Sequence, residues 1–320
     1  MTASPNVTPS RAAVRAPGRA QSRANRSMSR TGYVWIAYMA PAVLILLSTT
    51  VVPFAYLIYN SLTHWDLRRA YLGKSWAGLG NYADMLHDPL FWSSLQTTFL
   101  AAAGVVVVEL TLGMLLALLF NREFAGKRVF RSLFLLPLIM TPVVVGLTWR
   151  MLYNSDLGMI NYLLRSAHLP TPNWLASAQL ALPSIVITDA WHQTPFVTLM
   201  FVAGLQSLPT EPNEAARLDG ASPLQLFWYI TLPQLRPLIF LALIFRATDA
   251  IRLFDTIFVM TNGGPANATQ TLNMYAYKVG FSFLNMGYGS ALAVVLLAIC
   301  LAISIILVKY SRLELEGGRR

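Results

Sequence analysis

Leu208-Pro209-Thr210-Glu211-Pro212-Asn213-Glu214-Ala215-Ala216-Arg217-Leu218-Asp219-Gly220-Ala221-Ser222-Pro223, then Phe227-Trp228-Tyr229-Ile230-Thr231-Leu232-Pro233, forms a polar, punctuated interruption between two long apolar stretches. Asn213 reads as a helix cap, Glu214 complements the positive amino end of a helix, and Ala215 and Ala216 are strong helix formers. Gly220 supplies a permissive stop. A second short helix is predicted from about Ser222 and Pro223, and its aromatic face of Phe227, Trp228 and Tyr229 is too apolar for an aqueous loop. A protein partner or the membrane interface has to cover it.

Outward from this loop the chain is a membrane protein. It has 320 residues, 55% of them hydrophobic and 12% charged, against roughly 45–50% and about 25% in soluble domains. At about 20 apolar residues per crossing, the sequence predicts an all-α protein with six transmembrane helices, near 33–60, 93–120, 131–152, 182–207, 235–260 and 287–308. Pro41 and Pro53 in the first, and Pro137 and Pro142 in the third, predict kinks or ends. Residues 1–32, with six arginines, no acid and many Ser, Ala and Pro, read as a disordered basic tail, and the first apolar run is too long for a cleaved signal. The domain organisation is therefore 1–32 tail, 33–310 six-helix membrane domain carrying the loop at 209–233, and 311–320 a second tail.

The charge is topological. Placing the amino end in the cytoplasm leaves sixteen Lys/Arg inside: the six of the tail, Arg122, Lys127, Arg128, Arg131, Arg217, Arg236, Lys309, Arg312, Arg319 and Arg320. Only Arg68, Arg69, Lys74, Arg150, Arg165 and Lys278 fall outside. The positive-inside rule then puts both termini in the cytoplasm, and the net +10 reads as topology and anionic-lipid contact rather than nucleic-acid binding. Cys300 is the single cysteine, so neither a disulfide framework nor a zinc spacing exists. Gly73-Lys74-Ser75 imitates the end of a phosphate loop, but the required earlier glycine is Arg68. With no HExxH or GxSxG string either, an enzyme reading has almost nothing to rest on.

Glu214-Ala215-Ala216, Asp219-Gly220-Ala221, Ile230 and Leu232-Pro233 resemble the EAA loop of permease subunits in binding-protein-dependent ABC importers. Two further stretches resemble the carbohydrate-uptake branch of that family: Gly78-Leu79-Gly80-Asn81-Tyr82, and Leu253-Phe254-Asp255 followed by Thr261-Asn262-Gly263-Gly264-Pro265-Ala266 and Thr269-Gln270-Thr271. The resemblance covers about 33–310. It implies a type I ABC importer permease fold in a bacterial cytoplasmic (inner) membrane, with Glu214, Ala215, Ala216, Asp219 and Gly220 on a coupling helix that docks into a cytoplasmic ATPase. The implied partners are a second, non-identical permease, an ATPase dimer that binds ATP and Mg, an extracytoplasmic solute-binding protein and a sugar-like substrate. No cofactor is implied in this chain.

Charges inside a bilayer cost at least about 2.5–3.5 kcal/mol each, so they mark cavities or partners. Arg246, Asp249 and Leu253 (or Ala250) share one helical face, and Arg252 with Asp255 reads as a separate intrahelical pair. The resemblance places a solute cavity along the middle of this helix, where a guanidinium and a carboxylate hydrogen-bond sugar hydroxyls; Arg246 would suit a phosphate as well. In the preceding span Pro195 breaks the backbone ladder beside His192, Gln193 and Phe196, which the resemblance also assigns to the substrate pathway. Asp189 reads as a hydrogen-bond partner of His192, and Glu109 as a packed residue without function. The alternative function is an ion-coupled secondary transporter using Asp249 or Asp255, against which the EAA loop argues.

Overall fold

The computed structural model describes residues 21–317; the first twenty residues of the tail expected to be disordered, and the last three of the chain, lie outside the described residues. Those up to Tyr56 make one unit and those from Leu57 on the other. Helix α1 (Gln21–Ser61) begins within the basic tail, so residues 21–32 are helical instead of unstructured. Arg, Ala, Met and Gln there are good helix formers, and no proline interrupts them before Pro41. A minimal antiparallel hairpin follows, β1 (Thr63–His64) with β2 (Ser75–Trp76), in register Thr63 to Trp76. Short α2 (Gly80–Leu86) clasps the end of α1: the buried Asn81 amide donates to the carbonyls of Ser61 and Thr63 at 2.8 and 3.0 Å, and the Tyr82 hydroxyl bonds Ser61 Oγ at 2.8 Å.

The long helix α3 (Pro89–Phe120) starts where Asp88 caps it, accepting from the Leu90 N–H, with Pro89 in its first turn. Its inner face is small: Ala101, Ala102, Gly113 and Ala117 are buried, while Leu100, Val107 and Leu115 point outward. That face lets α3 lie along α8 (Ala181–Ser207); at Gly113 an added Cβ would sit 2.6 Å from Val197 Cγ1. Close approach through small residues is how helices pair in lipid, where no hydrophobic force drives them together.

The expected span at 131–152 is broken. Helices α4 (Lys127–Phe134) and α5 (Leu136–Ile139) meet α6 (Pro142–Leu152) across extended Met140 and Thr141, with a bend of 103°. Pro142 lacks the N–H that would continue the ladder and pushes Thr141 out of helical geometry. After α7 (Met159–Ser166) and α8 comes the cytoplasmic-loop candidate, α9 (Glu211–Leu218) and α10 (Pro223–Leu226). A widened turn, Phe227–Thr231, joins α10 to α11 (Leu232–Ile251) without interruption.

The expected continuous helix over 235–260 also ends early, at Ile251, and restarts as α12 (Asp255–Met260). Arg252 and Asp255 therefore do not form the intrahelical pair expected of them. Helices α13 (Leu272–Tyr277) and α14 (Met286–Gly317) complete the chain, and α14 carries helix into the tail expected from residue 311. Among the described residues four helices are long and apolar enough to cross a membrane, Tyr38–Ser61, Pro89–Phe120, Pro223–Ile251 and Met286–Ser311, or five if the bent pair is one span. The remaining expected span, α8, has 27 residues but carries Thr188, Asp189, His192, Gln193, Thr194 and Thr198, which dilute its apolar character.

Asp88 ties three elements together, since its Oδ2 also accepts from the hydroxyls of Tyr275 in α13 and, at 2.7 Å, Tyr288 in α14. Partial burial acts to raise its pKa, but the bonds from Tyr275, Tyr288 and the amides of Leu90 and Phe91 outweigh it and hold the carboxyl below its ordinary 3.8. The stabilisation is thus fully present above that ordinary value and is lost as pH falls through the depressed one. Asp88→Asn should lose about 1–3 kcal/mol at neutral pH. Thermal unfolding in detergent should show a lowered midpoint whose gap to wild type closes as the solution is acidified below pH 3.8.

Candidate functional site

Three helices meet at one guanidinium. Arg246 of α11, 4% exposed in its side chain, forks onto fully buried Glu109 of α3: Nη2 donates to Oε1 at 2.8 Å and Nε to Oε2. The same Nη2 reaches Asp189 Oδ2 of α8 at 3.2 Å, and Nη1 reaches Asp249 Oδ2 at 2.8 Å. All three nitrogens of the group are engaged by carboxylates. Bidentate geometry of this kind is what offsets the cost of taking charges out of water.

Glu109 and Asp189 were not assigned this role from sequence. Asp189 bonds Arg246 instead of His192, and Glu109 is the principal partner of the cation. A signal is present in the sequence: a lone acid in the apolar run 93–120 needs a cation, and Arg246 and Arg252 are the basic residues that lie away from the ends of the expected spans. His192 finds a different partner, its Nε2 donating to the Met140 carbonyl at 3.1 Å while Nδ1 accepts from the Gln193 amide at 3.2 Å. The break before Pro142 frees that carbonyl from its helix, so the imidazole stitches α8 to the kink.

Gln193, Phe196, Arg246 and Asp249 come together on one cavity of about 500 Å³, with Phe245, Thr248 and Arg252 on its walls. Asp249 is 55% exposed in its side chain and faces Arg252 Nη2 at 3.7 Å. His192 and Leu253 do not line this cavity. His192 is buried, and Leu253 lies beyond the end of α11, packed with Phe254 into the cluster around Tyr153, Ile185 and Ile257. In the loop after α12, Thr261 Oγ1 meets Thr269 Oγ1 at 2.7 Å and Thr269 donates to the Gly264 carbonyl at 2.7 Å, so the Asn-Gly-Gly-Pro stretch is a self-bonded turn.

The loop at 208–233 has the two helices its sequence predicts, with one shift of register. Helix α9 starts at Glu211 behind Thr210, with Pro212 in its first turn, so Asn213 lies inside the helix rather than capping it. Two acids, Glu211 and Glu214, occupy that first turn, as the helix dipole favours. Gly220 adopts φ of +82°, the left-handed stop, and the amides of Gly220 and Ala221 return to the carbonyls of Arg217 and Ala216. Ser222 and Gln225 then cap α10 reciprocally. Helix α9 buries none of its residues, and Leu218 at 89%, Trp228 at 56% and Tyr229 at 79% stand exposed.

Residues 109–312 match the family of binding-protein-dependent transport system inner membrane components. The chain is 42% identical over 282 residues to a probable ABC transporter permease protein of Sinorhizobium fredii, covering 88% of this chain and 90% of that relative. It is 37% identical over 239 residues to the trehalose/maltose transport system permease protein MalF of Thermococcus litoralis, covering 75% of this chain and 81% of the relative. Its fold superposes with a TM-score of 0.78 on a bacterial ABC transporter involved in import of the acidic polysaccharide alginate, at 19% identity over 91% of this chain and 98% of that one. The chain belongs to this family: it is a multi-pass membrane permease subunit of an ABC transporter.

Removing one partner of a buried ion pair strands the other charge. Glu109→Ala should therefore cost about 3–5 kcal/mol, read as a lowered unfolding midpoint in detergent. The triple variant Glu109→Leu, Asp189→Asn and Arg246→Leu should recover most of that loss, because no charge of the buried cluster is then left unpaired.

Proposed function

We propose that this chain is one of two non-identical permeases of a six-span-per-subunit importer that moves a sugar or sugar-like solute from an extracytoplasmic binding protein into the cytoplasm. Its membrane is the bacterial inner membrane, with both termini cytoplasmic, as the distribution of Lys and Arg supports. An ATPase dimer that binds and hydrolyses ATP with Mg supplies the driving force. The carbohydrate assignment is supported by the relative named for trehalose and maltose, and by a cavity carrying aromatic, amide and carboxylate groups suited to hydroxyls.

The observation that carries this reading is a mechanical one. Exposed α9, with Glu214, Ala215, Ala216, Asp219 and the left-handed Gly220 at its end, leads through the capped start of α10 into unbroken helix from Pro223 to Ile251. That helix, about 43 Å long at 1.5 Å per residue, carries Arg246 and Asp249 near its far end. A push on α9 by a closing ATPase would be delivered along this helix, through its widened turn at Phe227–Thr231 and past Pro237, to the charged cluster and the cavity. Pro195 and the break at Met140 and Thr141 give the neighbouring helices places to yield. Family membership leaves the secondary-transporter alternative without support.

Glu214 and Leu218 are exposed and make no contact that the fold needs. The double variant Glu214→Lys with Leu218→Asp should fold and insert normally yet lower solute uptake by about tenfold or more, the loss expected when an interface anchor worth at least about 1.4 kcal/mol is removed. Solute-stimulated ATP hydrolysis by the purified complex measures this directly; unchanged stimulation would remove α9 from the coupling role.

A further inference from the structure

We propose that the segment α4–α5 holds an acidic phospholipid, with its headgroup phosphate on Arg128 and Arg131 and an acyl chain along the exposed apolar side chains that follow. The inference needs only that the chain crosses a membrane; naming the leaflet as the cytoplasmic one rests on the proposed orientation. Two contacts set the depth of the segment. Helix α3, one of the membrane-crossing candidates, ends at Phe120, and the Phe134 ring of α4 lies 5.4 Å from that of Phe120, with Phe124 beside it at 6.3 Å. One face of α4 is therefore pinned to the end of a spanning helix, at the level of the headgroups. Helix α5 ends at the break where the Met140 carbonyl accepts from buried His192, inside the bundle. From Arg128 to Ile139 the chain advances about 16 Å at 1.5 Å per residue, close to the roughly 15 Å of one leaflet's hydrocarbon.

The remaining faces are sorted by chemistry. Arg128 and Arg131, three residues apart, share one side of α4; both are exposed and, among the described residues, neither meets a carboxylate, whereas Lys127 is taken by Glu123 at 2.8 Å. Guanidinium forks of this kind fit a phosphate bidentately. Beside them Phe130 and Leu133 point outward, and the exposed apolar line continues through Leu136 to Ile139, which is 80% exposed. Basic residues at the end of a span set topology wherever they lie. Here two unpaired ones head a continuous apolar line of one leaflet's depth. A soluble phosphate would occupy the arginines and leave that line bare, and a protein docked at the membrane edge would stop short of Ile139. An anionic head joined to an apolar tail covers both.

The test is native mass spectrometry on the whole transporter, purified through this chain in detergent and titrated with phosphatidylglycerol or phosphatidylcholine of the same acyl chains. Each arginine at a lipid surface is worth about fivefold, so the first phosphatidylglycerol should bind roughly thirtyfold more tightly than the first phosphatidylcholine. Arg128→Gln with Arg131→Gln should erase that preference, and Arg128→Lys with Arg131→Lys should keep most of it. Arg68→Gln with Arg69→Gln, between β1 and β2, should leave it intact. Leu133→Ser with Ile139→Ser should weaken both lipids alike. Excess inorganic phosphate or glycerol 3-phosphate should displace neither lipid; displacement by either would show a site for a soluble anion and overturn the proposal. Equal affinity for the two lipids in the wild type, or a preference that survives the glutamine pair, overturns the assignment to Arg128 and Arg131. Loss of the ATPase subunits with the glutamine pair, in a transporter whose wild type has no lipid preference, makes α4 a protein contact instead. None of these results touches the importer reading, which uptake tests separately.

Discussion

One buried guanidinium organises this molecule. Arg246 draws Glu109 from α3, Asp189 from α8 and Asp249 from its own helix into a single hydrogen-bonded cluster. In a bilayer the constraint is severe, because each of these charges alone would be expelled toward water. Together they fix the relative rotation of three helices: turning any of them by one residue, about 100°, would carry its carboxylate or guanidinium away from the others. The small-residue seam of α3 against α8 is what brings the backbones close enough for the cluster to close.

The same logic explains the irregular backbone nearby. Breaks at Met140–Thr141 and after Ile251 would be costly in lipid, where no water satisfies a freed carbonyl. At the first break the Met140 carbonyl accepts from buried His192. At the second, Thr271 Oγ1 bonds the Leu253 carbonyl and the Asn273 amide bonds that of Arg252. Both interruptions lie beside the cavity-bearing helix or its neighbour, and both are supported by side chains from elsewhere in the sequence. Such joints give a permease places to bend while the cluster at Arg246 holds register.

Much of this was legible in the sequence. Hydropathy and charge gave the class, and the spaced pattern from Glu214 to Pro233 gave the family, because its capping and stop chemistry is local and acts through neighbours a few residues apart. One helical turn puts Gln193 beside Phe196 and Arg246 beside Asp249, but that the two pairs share a cavity is a contact between different helices, which only the family resemblance anticipates. What was missed is nonlocal. The partner of Glu109 lies 137 residues away, and no spacing rule reaches that far. The displaced cap at Asn213 and the early end of α11 are of another kind: proline tolerance at Pro212 and the tertiary capture of carbonyls outweighed local propensity.

On the proposed function, ATP hydrolysis and not an ion gradient drives transport. The decisive measurement is solute uptake into proteoliposomes holding the complex purified through this chain, supplied with lumenal ATP and external solute-loaded binding protein, with all ion gradients collapsed by ionophores. Uptake should continue undiminished and stop when ATP is withheld. Uptake that survives without ATP and disappears with the ion gradient would contradict it.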